Sequence, residues 1–579
     1  MSALRSLRVS SASVLLAFAA LSGCAASPSS RPGAASVLPP AETVHASWVL
    51  RGGVVHRNSG PSASALAVRG TTILAVGSDQ DVARFIGSDT RITELHGRSV
   101  VVALTDAHGH LALLGKLAVS ADLGSCASPK DCAKLVGAQA AKRPEASWVL
   151  GRGWDQTRFA DPRYPTHASL DAEVSDRPVW LTRIDGHVGW ANAKALALAG
   201  IRRGARSPAG GQIVTDDEGE PTGIFVDSAM SLMEQAIPQP TDAERENAIL
   251  TAQKIVLEHG LTETHEMGID RATAAAFRRL ERDGRLVLRV YAFASAGGLR
   301  VPVDETELSR LLASTPDVSS PDRRFTLRGI KMWTDGALGS RGAALDEPYA
   351  DDPTNRGNVT TPFAVIESIA RRARASGWQL AVHAIGDRAN RAALDAFERA
   401  GCVRGDNLRF RVEHAQVIAL AEIPRFYRLG VVASMQPTHA TSDMRWARSR
   451  LGEGRLEGAY AWRRFIDANV VLALGSDFPV ESSDPLRGLF AAETRTDERG
   501  SPAGGWLPDQ RLTFAEALRG FTASPSYAAF EDGWRGDAVP GAVADITVFD
   551  SKLDQSSPAA LLGARADLTA VGGRIVFER

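Results

Sequence analysis

The chain reads Gln379-Leu-Ala-Val-His383, continues through a helical stretch at 389–400, and then reads Leu408-Arg-Phe-Arg-Val-Glu-His414; this segment decides the fold. Each short apolar run has the length and composition of a buried strand, and the stretch between them has the pattern of a helix. A strand, a helix and a second strand in this order predict two parallel strands joined by a crossover helix. Both predicted strands end in a histidine.

The same alternation continues on both sides of this segment. Helices are predicted at 241–259 and 363–376, and strands are predicted at 261–265, 288–293, 327–333, 431–436 and 470–477. This βα order predicts an α/β protein with a parallel sheet, and its length favours a (β/α)8 barrel of the TIM type. In such barrels the chemistry lies at the carboxyl ends of the strands.

Strand-like segments flank the predicted barrel at both ends of the chain. They lie at 48–55, 64–77, 540–550 and 570–577, and they carry turn glycines. We therefore predict a small β-sandwich domain composed of residues 45–98 and 536–579, around a barrel domain at 99–535. An insertion at about 115–240 is expected after the first barrel strand, because one βα loop is much shorter than this; it would cover the active site.

The N-terminus has the pattern of an export signal. Arg5 and Arg8 precede an apolar run at 14–21 that is too short to span a bilayer as a stable helix. The sequence Leu21-Ser-Gly-Cys24 resembles the bacterial lipobox, whose cysteine is lipid-modified; an ordinary cleaved signal peptide is the alternative.

This pattern predicts a signal peptide at 1–24, lipid attachment at Cys24 and a flexible tether at 25–44. The protein is then a lipoprotein of the bacterial cell envelope, which contacts the membrane through its N-terminal lipid only. By the same resemblance, Ala26 favours the outer membrane, facing the periplasm.

Cys126 and Cys132 stand in a C-x5-C pattern within a loop-like stretch. In an oxidising compartment the two cysteines can form a small disulfide loop, and two free thiols are the alternative. The spacing, with no histidine nearby, is poor for zinc.

Positive and negative charges are nearly equal in number over the whole chain. The sequence has 66 Lys and Arg against 67 Asp and Glu, a formal net charge of -1. A nucleic-acid partner would normally leave a basic patch, so none is expected. The expected partner is a small-molecule substrate, and a homodimer is among the assemblies left open.

Residues suited to metal binding stand where the predicted strands end. His108 and His110 are two apart on a strand, so their side chains point to the same side. His383 and His414 end the strands quoted above, and Asp477 ends the last barrel strand. One strand-end histidine is more often a structural hydrogen-bonding residue, but four histidines at successive expected positions predict ligation. Asp477 would hold a metal and take a proton from bound water, a helix N-cap being its alternative role.

Lys331 lies among apolar neighbours in Gly329-Ile-Lys-Met-Trp333. Burial disfavours the ammonium form and lowers the pKa of lysine. A neutral amine can take up carbon dioxide to form a carbamate, which is a bridging oxygen ligand. We predict this carbon dioxide-derived carbamate on Lys331, with a buried ion pair as the alternative.

The order H-x-H, Lys, His, His and Asp, followed by Pro540-Gly-Ala-Val-Ala-Asp545, resembles the amidohydrolase superfamily. The segments 331–341, 383–387 and 475–477 narrow the resemblance to the amidohydrolase 3 (YtcJ-like) group, over about residues 45–579. It implies a metal-activated hydroxide that attacks a carbonyl or similar carbon, usually in an amide or a ring C–N bond. It also implies one or two divalent ions, with zinc expected: His108, His110 and Asp477 on one ion, His383 and His414 on the other, and Lys331 bridging them.

Four further residues are candidates for contact with the substrate. The segment Gly186-His-Val-Gly-Trp-Ala-Asn192 resembles a family segment that would place His187 at the substrate, with a capped helix start as the alternative. Trp154 could form a wall of the pocket or lie in the core. Asp335 and Arg341 follow Lys331 closely, so either could orient the substrate.

These residues together predict a metal-dependent hydrolase that cleaves an amide or other non-peptide C–N bond through a metal-bound hydroxide. Asp477 would take and return the proton, while the second ion or His187 would polarise the carbonyl. A deaminase or cyclic-amide hydrolase with one catalytic ion is the enzymatic alternative. A non-catalytic binding lipoprotein is the alternative of another class, although the intact ligand set argues against it. Fold analogy does not identify the substrate.

Overall fold

The computed structural model describes residues 44–184, 186, 188–208, 211–295, 297, 303–554 and 557–579. The predicted signal peptide, Cys24 and the tether up to residue 43 lie outside the described residues. Residues His45–Arg579 form one compact unit. In the described part of the chain, no helix combines the length and apolar character needed to cross a bilayer.

Six short strands open this unit: Trp48–Arg51 (β1), Val54–Val55 (β2), Ala65–Arg69 (β3), Thr72–Gly77 (β4), Arg91–Glu94 (β5) and Ser99–Val102 (β6), with helix α1 at Asp79–Ala83. Four of them form a sheet in the order β4-β3-β1-β5. The other two, β2 and β6, belong to a second sheet that the C-terminal strands complete.

The first barrel strand is Thr105–Gly109 (β7), followed by helix α2 at Leu111–Ala118. An inserted α/β unit comes next, and its strands form a six-stranded sheet in the order β12-β13-β11-β10-β9-β8. Cys126 and Cys132, at the start of this unit, are joined by a disulfide. The strands are Ala121–Asp122 (β8), Val149–Trp154 (β9), Val179–Arg183 (β10), Val188–Ala191 (β11), Gly211–Thr215 (β12) and Pro221–Asp227 (β13); the helices are Pro129–Lys142 (α3), His167–Asp171 (α4), Ala193–Leu198 (α5) and Met230–Glu234 (α6).

The chain then returns to the barrel and alternates between helix and parallel strand. The strands are Glu263–Ile269 (β14), Arg289–Ser295 (β15), Phe325–Trp333 (β16), Gln379–Ala384 (β17), Arg411–His414 (β18), Val432–Met435 (β19) and Leu472–Leu474 (β20). The helices are Asp242–Glu258 (α7), Arg271–Arg282 (α8), Glu305–Leu312 (α9), Phe363–Ser376 (α10), Asp387–Arg399 (α11), Ile423–Leu429 (α12), Pro437–Leu451 (α13), Trp462–Asp467 (α14), Pro485–Thr494 (α15), Phe514–Gly520 (α16) and Ala523–Ala528 (α17).

The eight-stranded sheet runs in the order β20-β19-β18-β17-β16-β15-β14-β7. The segment after β20 meets β7 again, because Gly109 and Phe478 form a parallel bridge and the His110 N–H donates to the Phe478 carbonyl at 2.8 Å. All six residues of β17 are buried, as expected for a strand covered on both faces. The prediction of an α/β protein with a (β/α)8 TIM-like barrel is confirmed.

Helix boundaries follow local signals in the sequence. Helix α7 begins after Thr241, whose side chain forms a capping box with Glu244, and Gly260 after its end has φ +87°. Helix α10 ends at Gly377, which adopts the left-handed conformation that glycine tolerates without a Cβ clash.

Strands Ile546–Phe549 (β21), Ala566–Val571 (β22) and Arg574–Glu578 (β23) complete the second small sheet, in the order β2-β6-β21-β22-β23. Side chains of both small sheets, including Trp48, Leu66, Val100 and Ile546, share one apolar core, which is the arrangement of a sandwich. The predicted boundary at residue 98 is too early. Strand β6 pairs with β21 through Val100, Val101 and Val102, so these residues belong to the sheet.

Candidate metal centre

Residues from both edges of the barrel sheet meet at its carboxyl end. The Asp477 N–H donates to the His108 carbonyl at 2.7 Å, which fixes the segment after β20 beside β7. One potential ligand atom from each of His108, His414 and Asp477 lies within 4.8 Å of the others. These three buried side chains are therefore close enough to hold one ion.

The other two predicted histidines lie at the same place. His110 Nε2 is 3.0 Å from Asp477 Oδ1, and His108 Nε2 is 3.5 Å from the same oxygen. The rings of His383 and His414 have centroids 4.7 Å apart. The structure thus brings together all four histidines that the sequence places at strand ends.

Backbone strain helps to direct these side chains inward. His414 has φ +72° and Asp477 has φ +60°, a region that non-glycine residues rarely adopt. Strain of this kind concentrates at functional sites. Gly475 is required at the closure, because a Cβ there would lie 2.5 Å from Asp106 Oδ1 and 2.5 Å from the His108 nitrogen.

Hydrogen bonds at Nδ1 orient two of the imidazoles. His108 Nδ1 is 2.6 Å from Glu413 Oε2, and His414 Nδ1 is 2.8 Å from Gln436 Oε1. Each oxygen accepts a hydrogen bond from an Nδ1–H, so each Nε2 keeps its lone pair for a metal.

Strand alternation predicts that Glu413, next to His414, points away from the metal side, and this prediction is wrong. Glu413 faces the barrel interior, where it also pairs with Arg411 at 2.7 Å. His414 is the last residue of β18, and its positive φ breaks the alternation, so both neighbours contribute to one site.

Lys331 lies on β16 with 1% of its surface exposed. Its Nζ finds no hydrogen-bond partner among the described residues, and it lies 5.6 Å from the centroid of the Trp333 ring. Burial lowers the pKa of Lys331 to about 8, against the opposing effect of Glu413 and Asp477. The described contacts include no ion pair for this amine, so the ion-pair alternative gains no support.

The donor set fits a divalent metal. Four buried atoms around the centre make no hydrogen bond within the described structure: Lys331 Nζ, His383 Nε2, His439 Nε2 and Asp477 Oδ1. Buried polar atoms are normally paired, so these atoms indicate a ligand of the site.

The protonation states fit as well. Burial lowers the pKa of His108 to about 4 and that of His383 to about 3, so both rings are neutral near pH 7. Burial alone would raise the pKa of Asp477, but His108 and His110 bring it well below its usual value. Neutral imidazoles and a carboxylate are the ligands that zinc and related ions prefer.

Trp154 does not form a wall of the site. The side chain is fully buried and lies in the apolar core of the inserted unit, with its ring centroid 5.6 Å from that of Trp190. Its indole N–H donates to the Leu181 carbonyl at 3.4 Å. The prediction of a substrate contact is therefore wrong, because the ring completes the core of the insertion.

Asp335 and Arg341 are both engaged in the loop that follows β16. Asp335 is fully buried and accepts backbone N–H groups of Ala344, Ile385 and Gly386, so it organises the turn after β17 and has no exposed atom for a substrate. Arg341 pairs with Asp351 at 3.1 Å. Asp335 Oδ1 also lies 3.4 Å from His383 Nε2, so Asp335 supports a proposed ligand, whereas Arg341 is paired within the loop. His187 lies outside the described residues.

The strand-end argument does not predict three polar residues of the site. His439, on the first turn of α13, has its Nε2 3.7 Å from Asp477 Oδ2. Asp106 accepts the Ser476 hydroxyl at 2.6 Å, and Glu266 accepts N–H groups at the start of α2. His439 stands only three residues beyond a predicted strand end, and that position is the signal that could have found it.

A TIM-like barrel with a histidine-rich site at its carboxyl face defines the class of metal-dependent barrel hydrolases. The model of the amidohydrolase family matches residues 91–577. The chain belongs to this family, as the order of its ligands predicts, and the predicted YtcJ-like group is confirmed by the relatives described next.

Relatives match nearly the whole chain. Protein LONG AFTER FAR-RED 3 of Arabidopsis thaliana is 33% identical, covering 94% of this chain and 93% of its own. Putative amidohydrolase YtcJ of Bacillus subtilis is 31% identical (92% and 99%), and N-substituted formamide deformylase of Arthrobacter pascens is 26% identical (90% and 96%). An uncharacterised metal-dependent hydrolase of Pyrococcus furiosus superposes with a TM-score of 0.73 at 28% identity, over 88% of this chain and 99% of that one.

Proposed function

We propose that this metal-dependent hydrolase cleaves an amide or other non-peptide C–N bond of a small molecule. The observation that carries the proposal is the buried Asp477 carboxylate, whose Oδ1 lies 3.0 Å from His110 Nε2 and 3.5 Å from His108 Nε2 at the carboxyl end of the barrel. The name of the Arthrobacter pascens relative, a deformylase of N-substituted formamides, supports a C–N substrate.

The site residues would have the following roles. His108, His110, His383, His414 and Asp477 would hold one or two divalent ions, zinc by preference, with Lys331 as a bridging carbamate. When bound, such an ion lowers the pKa of a coordinated water to about 7. Asp477, kept ionised by its histidine neighbours, would take a proton and return it to the leaving nitrogen.

Hydrolysis assays test the C–N proposal. The purified protein, loaded with zinc or manganese, is tested with N-formyl and N-acyl amines, cyclic amides, aminopurines and carboxylic esters. We expect release of amine and carboxylate from an amide class, and loss of at least a hundredfold in kcat for Asp477→Asn. Turnover of esters alone would contradict the proposed bond class, whereas ammonia release from the aminopurines alone would favour the deaminase alternative.

We also propose that Cys24 carries a lipid and holds the protein in the cell envelope. The support is the sequence Leu21-Ser-Gly-Cys24. Labelled palmitate should enter the wild-type protein in the membrane fraction but not Cys24→Ser. Equal labelling, or a wild-type protein without label, would disprove the anchor.

A further inference from the structure

We propose that His439 is a further catalytic residue of the centre, whose imidazole Nε2 donates a hydrogen bond to the oxygen of the scissile carbonyl. The inference rests on the proposed hydrolysis of an amide. It assigns to one residue of this chain the polarisation of the substrate.

His439 and His110 approach different oxygens of the Asp477 carboxylate. Its Nε2 is 3.7 Å from Asp477 Oδ2, whereas His110 Nε2 is 3.0 Å from Asp477 Oδ1. Histidines therefore approach both oxygens of the proposed proton acceptor. A group bound by His439 would lie next to the carboxylate that handles the proton.

The Nε2 atom is available for a ligand. It is buried, and it forms no hydrogen bond with any residue that the structure describes. The distance from Nε2 to Asp477 Oδ2 exceeds that of a hydrogen bond. A buried donor without a partner is costly in free energy, and a bound ligand that accepts its hydrogen bond would remove that cost. The preceding Thr438 Oγ1 is also buried and unpaired, so the first turn of α13 presents two such atoms.

The His439 ring lies next to the proposed metal ligands. The His439 ring lies nearly parallel to that of His414, at 14°, with centroids 5.8 Å apart. This places it beside the set of mutually close ligand atoms, which consists of His108, His414 and Asp477. An imidazole next to the ligand set can reach a substrate oxygen without entering the coordination sphere.

Contacts at both ends hold α13 in place. Near its start, Ser442 Oγ donates to Glu481 Oε1 at 2.6 Å, and Glu481 stands four residues after Asp477. Near its end, Arg450 Nε donates to the Gly339 carbonyl at 3.1 Å, in the loop that follows the strand of Lys331. His439 therefore lies on a helix that is hydrogen-bonded to the segment after Asp477 and to the loop after β16.

The start of α13 also favours an oxygen that gains negative charge. His439 is in the first turn of a 15-residue helix that begins at the carboxyl face of the barrel, where unpaired N–H groups and the helix dipole stabilise anions. Asp443, one turn further on, is already engaged by the Tyr460 hydroxyl and by Gln416 Nε2.

Two variants of the full-length, metal-loaded enzyme test this role. His439→Leu removes the donor at similar size, and His439→Gln keeps an N–H donor. Ser449→Ala, on an exposed turn of the same helix, is the control. The measurements are metal content per chain, melting temperature, and kcat and KM on an amide hydrolysed by the wild type.

We expect His439→Leu to lose about a hundredfold in kcat at unchanged metal content, and His439→Gln to retain about tenfold more activity than Leu. A loss of metal in both variants would make His439 a ligand and overturn the proposal, as would a wild-type kcat in His439→Leu. A wild type that hydrolyses no amide would instead refute the proposed function. The His439 variants are therefore compared with the wild type only on an amide that the wild type hydrolyses, so a defect there tests His439 itself.

Discussion

Lys331 has a buried amine with no hydrogen-bond partner among the described residues, and the carboxylates of Glu413 and Asp477 act on it electrostatically. Its pKa of about 8 makes the neutral form accessible near physiological pH. A carbamate would turn this amine into an anionic oxygen ligand, and it would explain why the Nζ has no partner among the described residues. Sequence alone could indicate this chemistry, because the apolar strand around Lys331 already predicts burial.

Replacing Lys331 tests the carbamate directly. Lys331→Ala is expected to lose most of its bound metal, because the bridging ligand is gone, and to recover part of it with added short carboxylic acids such as acetate or propionate. Metal content is measured by elemental analysis with and without the acid. A variant with normal metal content would show that the lysine is not a ligand.

Glu493, on α15, offers a test of buried charge. Burial raises the pKa of its carboxyl to about 7, and Oε1 finds no partner among the described residues. Since the folded pKa lies above the unfolded value of about 4.5, the folded state binds more protons between these values. Stability is then fully present below about pH 4.5 and is lost as the pH rises through 7.

Glu493→Gln should therefore increase the melting temperature at pH 8 and leave it nearly unchanged at pH 5. The expected gain at pH 8 is on the order of 1 kcal/mol, since the side chain is partly exposed to solvent. Thermal melts of wild type and variant at both pH values measure it, with the exposed Glu218→Gln as control. An equal effect at both pH values would rule out the burial argument.

The strand-end rule correctly located the four histidines and Asp477 but not the residues around them. Glu413 required knowledge of the positive φ of His414, and no local pattern predicts that strain. Trp154 stands in a strand whose partner strands come from elsewhere in the insertion, so its core position depends on tertiary packing.

At the level of elements, the closure between β7 and the segment after β20 decides whether the site forms. Two hydrogen bonds link the two edges of the sheet. The Asp477 N–H donates to the His108 carbonyl, and the Ser476 hydroxyl donates to Asp106. The βα period predicts both strands, but it cannot show how closely their ends approach. In the sequence, only the glycine at position 475 indicates that the two strand ends approach closely.

Gly475→Ala is expected to destabilise the protein by about 1–3 kcal/mol and to weaken metal binding, because the new methyl group would overlap the His108 nitrogen and the Asp106 carboxylate. Melting temperature and metal affinity are the measurements. Gly454→Ala is the matched control, since its Cβ would meet no atom within 4 Å. If Gly475→Ala behaves like Gly454→Ala, the closure is looser than described.

Across the whole molecule, the β-sandwich and the barrel share a buried ionic network. Arg289 Nε and Arg535 Nε contact Asp545 Oδ2 at 2.7 Å and 2.9 Å, and Arg535 also contacts Glu263 at the start of β14. Arg535 is fully buried, so each charge depends on its partners. Pattern analysis predicted that both chain ends form one β unit, but it could not predict this connection, whose members are separated widely in sequence.

Asp545→Ala should lower the free energy of unfolding by about 3–5 kcal/mol, because it leaves two buried guanidinium groups without their shared carboxylate. Urea unfolding is the measurement. Glu94→Gln, which removes one partner of the exposed Arg51–Glu94 pair, is the control and should leave the free energy of unfolding nearly unchanged. Equal costs for the two variants would show that the network contributes little.

The central claim is that the carboxyl end of the barrel holds a divalent metal on which hydrolysis depends. Elemental analysis of the purified wild-type protein, combined with hydrolysis assays before and after chelation, tests it most directly. The account predicts at least one transition-metal ion per chain, loss of activity on chelation and recovery with added zinc or manganese. A metal content well below one per chain, with activity unaffected by chelators, would contradict it.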